Sequence, residues 1–538
     1  MQYDVVTASL IDDEDYSRVA YFVRKYTGPT CLGALATDGL VDEFFSAWSP
    51  LDDKGDQGAF NADRQCIYCW IYGDLPLLPA GAVLTGDDMA AYLQDWWGRQ
   101  IGTALCVTLP KTTEEVAAIV RVCASAGHGV VPQGGRTGLT GAGVPGVDDK
   151  PPVILSLSRL RNIRKVDRAN GSIEADAGCV LSEIQSAAIA VDRLFPVSLG
   201  AEGSCQIGGI ISTNAGGTNV LRYGTTRENV LGLEVVLPDG MIWNGMKALR
   251  KDNNGYALRH MFIGAEGTLG IITGAVLKLH PLPRAHSTAW VGVADPTRAL
   301  RLLNRLQSGC GERLTTFELM NAEQLASVIA RQPAAVSPTE APWHLLIELA
   351  DMSGPELLDE MLLTVLGEAM DAGGILDAVV AQNGSQRDGL WALRHATADA
   401  NRSSEHMLSA DISVPVSAVP QFLKVASDGV CARFPEVQVV VVSHMGDGNV
   451  HFGVRFNSRD WAEESDPPAT ALAVRTIVND CADTFGGSFS AEHGIGRKLV
   501  DELALRTDPA ALMSMQKLKN AFDPGGIMNP GCLVSRDI

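Results

Sequence analysis

The stretch from Gln438 to Val454, QVVVVSHMGDGNVHFGV, constrains the fold more than any other part of the chain. A β-branched run ends at His444, a tight polar loop (Gly446, Asp447, Gly448, Asn449) follows, and a second apolar run carries His451. Gly and Asn tolerate the backbone angles of such turns, so a β-hairpin is expected. Residues facing one another across a hairpin have Cβ atoms about 4.5–5.5 Å apart. That spacing can place two imidazoles on one metal ion. Downstream, SAEHGIG supplies Glu492 and His493. Two His and one carboxylate with an open position form a catalytic zinc-type set. A single strand His reads more simply as an ordinary polar residue; two of them flanking a Gly-Asp-Gly turn favour a metal.

Three Gly-rich segments come earlier in the chain. The first runs from Gln133 to Gly141 through Gly134, Gly135, Arg136, Thr137, Gly138 and Leu139. The second holds Gly203, Ser204, Gly208 and Gly209 and continues through Thr213, Asn214, Gly216 and Gly217. The third, Gly264 to Gly270, holds Glu266 and Gly267. Small residues let the backbone approach a ligand closely, and successive N–H groups can form an anion-binding nest. One such segment is ordinary turn chemistry. Three in one domain point to a long ligand lying against bare backbone, with a diphosphate as the natural candidate. Gly141 to Gly146 also matches G-x-G-x-x-G, but the dinucleotide fingerprint requires a helix opening directly from it. Here Pro145, Asp148, Asp149, Pro151 and Pro152 follow, so a nicotinamide-type Rossmann site is not expected.

The chain has 538 residues, enough for several domains. Its formal net charge of −20 would repel a polyanion, which excludes nucleic acid as a partner. No apolar run is long enough for a membrane helix. The N-terminus lacks the basic and apolar regions of a secretory signal. Eleven Cys, an odd number, cannot all pair, so free thiols in a reducing cytoplasm are expected. Cys66 and Cys69 form a C-x-x-C with no second pair at zinc-ribbon distance, and no role is assigned to it. The texture divides the chain into an N-terminal extension of unknown role (1–85), a Gly-rich α+β domain (86–283), a second α+β domain with longer helices that ends in the hairpin (284–490), and a C-terminal segment (491–538).

Six motifs, PQGGRTGLTGAG, the segment from PVSLGAEGS to VVLPDG, GAEGTLGIIT, SHMGDGNVHF, SAEHGIG and IMNPG, occur in an order and spacing that resemble the vanillyl-alcohol oxidase/p-cresol methylhydroxylase superfamily of flavoproteins. Within it the chain is most similar to the D-2-hydroxyglutarate and D-lactate dehydrogenase branch, over roughly residues 85 to 538. The resemblance implies an α+β fold: an FAD-binding domain of the p-cresol methylhydroxylase type, an α+β cap carrying the substrate site, and a C-terminal segment that returns to the FAD domain. FAD would be held by the three loops, with Pro132, Ile271 and Asn529 added to the residues named above. GGRTG has no His, so the flavin is expected to be non-covalent; Arg136 stands where many similar chains have Asn.

By the same resemblance His444, His451 and Glu492 match divalent-metal ligands (Zn²⁺ first, with Mn²⁺ or Co²⁺ as alternatives). His493 matches the catalytic base, Asn449 lines the substrate or flavin site, and Arg394 grips a substrate carboxylate. The implied reaction oxidises a D-2-hydroxy acid to the 2-oxo acid, with the cation as Lewis acid, His493 as general base and flavin N5 as hydride acceptor. The implied partners are the small acid and an electron acceptor such as a quinone or an electron-transfer flavoprotein; a homodimer is compatible with the resemblance. Ala398 (beside Thr397) and Ser409 stand where the branch has a hydroxyl residue and a Lys that hold the distal carboxylate of hydroxyglutarate, which leaves the exact acid open. The alternatives are a flavin enzyme of this fold acting on a different or bulkier alcohol, a metallohydrolase that would leave the Gly loops idle, and a non-catalytic binding module.

Overall fold

The structure is a computed structural model that describes residues 81–534 except 99, 147–149, 333–334, 403, 405 and 463. Most of the N-terminal extension, with its Cys66–Cys69 pair, lies outside the described residues, as do Asp148 and Asp149.

The first domain holds two sheets. In the smaller one β1 (Val83–Leu84), β2 (Cys106–Thr108), β3 (Val130–Gln133) and β4 (Val153–Ser156) lie in the order β1-β2-β4-β3. The larger is antiparallel and contains β5 (Ile163–Asp167), β6 (Ser172–Asp176), β8 (Val230–Val236), β9 (Ile242–Gly245) and β10 (Ile271–Lys278) in the order β5-β6-β10-β8-β9. A short pair, β7 (Arg193–Leu194) with β11 (His280–Pro281), stands beside them. Helix α1 (Thr113–Ala126) starts where the capping pattern predicts, with the Thr112 side chain accepting from the Glu115 N–H. It buries Val116, Ile119, Val120 and Cys123 in one core shared with the larger sheet. Helix α2 (Ile207–Ser212) opens out of the second Gly segment.

The second domain is built on one seven-stranded antiparallel sheet. Its strands are β12 (Ala285–Val293), β13 (Leu314–Asn321), β14 (Trp343–Asp351), β15 (Asp377–Val380), β16 (Met407–Ser413), β17 (Gln438–His444) and β18 (Asn449–Arg455). Their order is β15-β12-β14-β13-β17-β18-β16. Helices α3 (Pro296–Cys310), α4 (Pro355–Asp371), α6 (Val419–Arg433) and α7 (Pro467–Thr484) pack on one face. That face presents Phe317, Leu319, Val441, Val450, Phe452 and Ile412. Side chains alternate along a strand, so Glu318, Val442, His444, Asn449, His451 and Asp411 fall on the other face. There α5 (Gly384–Arg402) buries Leu390 and Leu393 against Trp290, Met320 and Leu346.

The C-terminal segment returns to the first domain. Met528 bridges Val130 in parallel, and the Asn529 N–H donates to Val130 O at 2.8 Å. Lys519, on α8 (Pro509–Phe522), reaches Thr268 O and Met528 O from a buried position. Among the described residues, no helix is long and apolar enough to cross a membrane.

One buried ion pair braces the second domain. Glu348 accepts from Arg387 at 2.7 and 3.0 Å, from the Trp391 indole at 2.9 Å and from Thr288 at 2.8 Å. Burial alone would raise its carboxyl, but His286 and Arg387 pull it down from 4.5 to about 2. A depressed carboxyl contributes stability in full above its unfolded value, and that contribution is lost as pH falls from about 4.5 to about 2. Glu348→Gln is expected to cost about 1–3 kcal/mol, because Arg387, Trp391 and Thr288 lose their carboxylate acceptor while the half-buried guanidinium keeps Asp388 at 3.5 Å. The unfolding transition of the second domain in urea, followed by tryptophan fluorescence, should lose that much at neutral pH and progressively less at pH 3 and below; a loss independent of pH would rule out the ion pair as its source.

Candidate active site

The hairpin forms as expected, with a register that differs from the expected facing pair. His444 lies opposite Asn449, and His451 lies opposite Val442. The two imidazoles are therefore diagonal neighbours, a separation long side chains can still span; their ring centroids are 5.3 Å apart.

The loop carrying Glu492 and His493 reaches the imidazoles along the free edge of β16. Ser413 and Ser488 exchange backbone hydrogen bonds at 3.0 and 2.7 Å, and the Ala491 N–H donates to Asp411 O at 3.2 Å. Three ring nitrogens then converge on one oxygen. Glu492 Oε1 lies 3.4 Å from His451 Nε2, 3.8 Å from His493 Nε2 and 4.0 Å from His444 Nε2. Two tetrahedral ligands each about 2.1 Å from an ion stand about 3.4 Å apart, so these spacings fit a divalent cation with modest adjustment. The other oxygen, Oε2, accepts the Gly217 N–H at 3.0 Å, which ties the cluster to the second Gly segment.

Two residues that sequence reasoning missed organise this cluster. Asp411, on β16, places Oδ1 3.4 Å from His451 Nδ1 and Oδ2 3.4 Å from His493 Nδ1. Its Oδ2 also accepts the N–H groups of Glu492 and His493 at 2.9 and 3.0 Å, and Oδ1 accepts the Asn449 amide at 2.8 Å. Asp411, His451, Glu492 and His493 by themselves have the mutual spacing of a metal set. Asp411 faces the Nδ1 edges of the rings, however, and Glu492 faces the Nε2 edges. One ion cannot bind both edges of a ring, so Asp411 belongs to the outer layer. Glu318, on β13 directly opposite His444, accepts from His444 Nδ1 and from Arg394 Nε, each at 2.7 Å.

The imidazoles and carboxylates of the cluster shift one another. Burial would lower the His451 imidazolium, yet Asp411 and Glu492 raise it to about 10. Burial would raise Glu492, but His451 and His444 hold it down to about 2. Burial likewise opposes ionisation of Asp411, and His493 and His451 keep its carboxyl far below the usual range. Burial carries Asp447, in the turn, up to about 6.

Arg394 is 8% exposed and projects from α5 toward the sheet. Its Nη1 donates to Thr397 Oγ1 at 3.2 Å, and among the described residues Nη2 takes no partner. Thr397 is thus committed to Arg394, while Ala398 and Ser409 are exposed.

The Gly segments pack on one another. A Cβ on Gly135 would meet Ser204 O at 2.0 Å, and one on Gly267 would meet Pro132 at 2.4 Å. The Glu266 N–H donates to Ser212 O at 2.9 Å. Gly208 sits against Ala177, and Ile271 is buried at the start of β10. Gly138, Gly203 and Gly209 instead have open space where a Cβ would sit. Thr137, Leu139, Ser204 and Gly216 lie along the same segments, with Thr213 Oγ1 turned back to Gly209 O at 3.2 Å. Gln133 Oε1 and Gln206 Oε1 are buried on these loops without a hydrogen-bond donor among the described residues. Such orphan acceptors suit a ligand that carries N–H or O–H groups.

Three side chains from this group are used internally. Asn214, with φ at 51°, accepts from Thr225 and from the Arg227 N–H. Asn529 donates to Ala142 O and Glu266 O and accepts from Arg497. The Glu266 carboxylate accepts the N–H groups of Ile495 and Gly496, so it braces the loop that carries His493. Arg136 also leaves the loop: it donates to Ala91 O and stacks on Tyr92, 4.8 Å from the ring centroid. Its position in the left-handed region (φ 58°) is one that Asn adopts readily. Two clefts between the domains, of about 630 and 460 Å³, are lined by other residues, so the site is defined by its converging groups rather than by cavity size.

Comparison with known proteins agrees with this architecture. Residues 104–245 match the FAD binding domain family, and residues 282–533 match the C-terminal domain of FAD linked oxidases. Mitochondrial D-2-hydroxyglutarate dehydrogenase from Rattus norvegicus is 35% identical over 84% of this chain and 82% of its own. The Bos taurus protein of the same name is 35% identical over 84% and 81%. The structure of p-cresol methylhydroxylase with substrate bound superposes with a TM-score of 0.67 over 89% of this chain and 98% of that one, at 17% identity. These relatives overturn the cytoplasmic placement expected from cysteine usage, since both are mitochondrial. Eight cysteines are free among the described residues, which does not by itself name a compartment. With both family domains matched and kinship over most of its length, the chain belongs to the FAD-linked oxidases of the p-cresol methylhydroxylase fold, among the FAD-dependent D-2-hydroxy acid dehydrogenases.

Proposed function

We propose that this enzyme oxidises D-2-hydroxyglutarate or a close D-2-hydroxy acid to the 2-oxo acid, with FAD held non-covalently and a divalent cation, Zn²⁺ by preference, held by His444, His451 and Glu492. The observation that carries this reading is the convergence of three Nε2 atoms on Glu492 Oε1. The relatives' names supply the acid. Bound FAD supplies the hydride acceptor at N5, and a bound cation supplies Lewis acidity toward the hydroxyl and its neighbouring carboxylate.

The protein's own groups do the rest. Arg394 offers Nη2 to a substrate carboxylate from a site where burial strengthens the pairing. Asp411 Oδ2 faces His493 Nδ1 at 3.4 Å and favours the tautomer with its proton on that side, which turns the lone pair of Nε2 toward the site. His493 takes the hydroxyl proton at Nε2, which allows C2 to part with its hydride. Asn449 is held by Asp411 and by Ile412 O, so it serves the site as a fixed wall. A second reading, a bulkier substrate, is favoured by one observation: Ala398 and Ser409 leave their positions short and exposed.

Anaerobic flavin bleaching with D- and L-lactate, malate, 2-hydroxyglutarate and an aromatic analogue separates these readings. D-2-hydroxyglutarate should bleach the flavin fastest and its L-enantiomer should not bleach it. Chelation should stop bleaching while FAD stays bound, and Zn²⁺, Mn²⁺ or Co²⁺ should restore it. Bleaching unaffected by chelation, with no metal found by elemental analysis, would rule out the cation; fastest bleaching by the aromatic acid would move the assignment to the bulkier class.

A further inference from the structure

Glu318 stands under both halves of the site. Its Oε1 meets His444 Nδ1 and its Oε2 meets Arg394 Nε, each at 2.7 Å. The side chain is 1% exposed, so water does not compete for either bond. The first bond is made within the sheet, where Glu318 and His444 are direct cross-strand partners. The second leaves the sheet and pins a helix-borne guanidinium whose Nη1 is already held by Thr397.

We infer that Glu318 is a positioning residue that fixes the cation-side imidazole and the carboxylate-gripping guanidinium through one buried carboxylate, so that cation affinity and substrate-carboxylate affinity share a single control. The inference rests on the proposed roles of His444 and Arg394. The chemistry is asymmetric at each end. Holding Nδ1–H of His444 fixes the tautomer that leaves Nε2 as a ligand and raises the basicity of the ring. Holding Nε of Arg394 sets the plane of the guanidinium and directs Nη2, which matters because guanidinium recognition of a carboxylate is planar and directional. Glutamine cannot hold both partners in their working states, because its amide nitrogen would either face the Arg394 Nε donor or drive His444 into the tautomer that puts a proton on Nε2, and neither bond keeps its charge. Aspartate keeps the charge but falls one methylene short.

The test uses full-length, FAD-loaded, metal-stripped protein. Zinc affinity is measured by competition with a chromophoric chelator, with no organic acid present. Affinity for 2-oxoglutarate is measured on the metal-free protein by perturbation of the flavin spectrum. Glu318→Gln should weaken zinc binding by about 10–100-fold and 2-oxoglutarate binding by roughly tenfold. His444→Ala should weaken zinc alone, and Arg394→Ala should weaken 2-oxoglutarate alone. If both Ala variants behave so and Glu318→Gln changes one affinity or neither, the inference is overturned and the proposed site stands. If His444→Ala leaves zinc affinity unchanged, or Arg394→Ala leaves 2-oxoglutarate affinity unchanged, the underlying assignment falls and takes the inference with it. Should the Gln variant fail to retain FAD, Glu318→Asp replaces it: loss of both affinities supports the inference and loss of one overturns it.

Discussion

His493→Ala is expected to lower turnover by about 10²–10⁴-fold, the usual contribution of a positioned general base, while leaving FAD content at the wild-type level. The structure separates the two effects. The His493 side chain belongs to the cluster around Glu492 Oε1, whereas its backbone is held by Asp411 Oδ2 and by Thr140 Oγ1, which donates to His493 O at 3.1 Å. Removing the imidazole therefore leaves the loop in place. Those backbone bonds, with the Glu266 clasp on Ile495 and Gly496, do not depend on the ring. Stopped-flow reduction of the bound flavin by D-2-hydroxyglutarate gives the rate directly. A near-normal reduction rate would remove His493 as the base. Loss of flavin would show that the ring is structural.

What could be read in advance divides along physical lines. Short-range signals were legible. The Gly-Asp-Gly turn announces its hairpin because few residues tolerate its geometry: Gly448 has φ 90°, and a Cβ there would meet Val414 O at 2.2 Å. The α1 cap and the amphipathic helices of the second domain follow from local periodicity in the same way. Sheet order was not legible. Asp411 and Glu318 reach the site only because β16 and β13 flank the hairpin in the order β13-β17-β18-β16, a pairing of strands far apart in the chain. Each did leave one signal: a lone carboxylate in the middle of an otherwise uncharged strand (TTFELMN and LSADISV). Burying such a charge is costly unless it is paired, so each foretold a partner without naming it. The diagonal register of the two histidines escaped for a related reason. The loop is Met445 to Gly448, which sets His444 opposite Asn449; a loop two residues longer would have set it opposite His451 on the same face, and the local sequence does not separate the two lengths.

Asp411→Asn is expected to damage the site more broadly than any single ligand change, because five groups close on this carboxylate: the Nδ1 atoms of His451 and His493, the backbone N–H groups of Glu492 and His493, and the Asn449 amide. The amide and the two backbone N–H groups donate, and the two ring nitrogens face the carboxylate at 3.4 Å. An ionised carboxylate has about four lone-pair sites on two oxygens and can take nearly the whole set, whereas an amide keeps one acceptor and adds two donors. Asparagine must therefore point its NH₂ at Nδ1 of one imidazole or the other, which drives that ring into the opposite tautomer and places a proton on Nε2. If His451 is the ring affected, zinc affinity should fall by about 10–100-fold; if His493 is affected, turnover should fall by about 10²–10⁴-fold even at saturating zinc. Titrating zinc into the stripped variant and measuring flavin reduction at saturation separates the two. Glu492 retains its Gly217 bond in either case, so FAD binding should survive. Wild-type zinc affinity together with wild-type reduction would show that the imidazoles hold their tautomers without Asp411. The base would then have to be set by Glu492 alone, whose Oε1 lies on the Nε2 edge of all three rings, the wrong side to hold an Nδ1 proton.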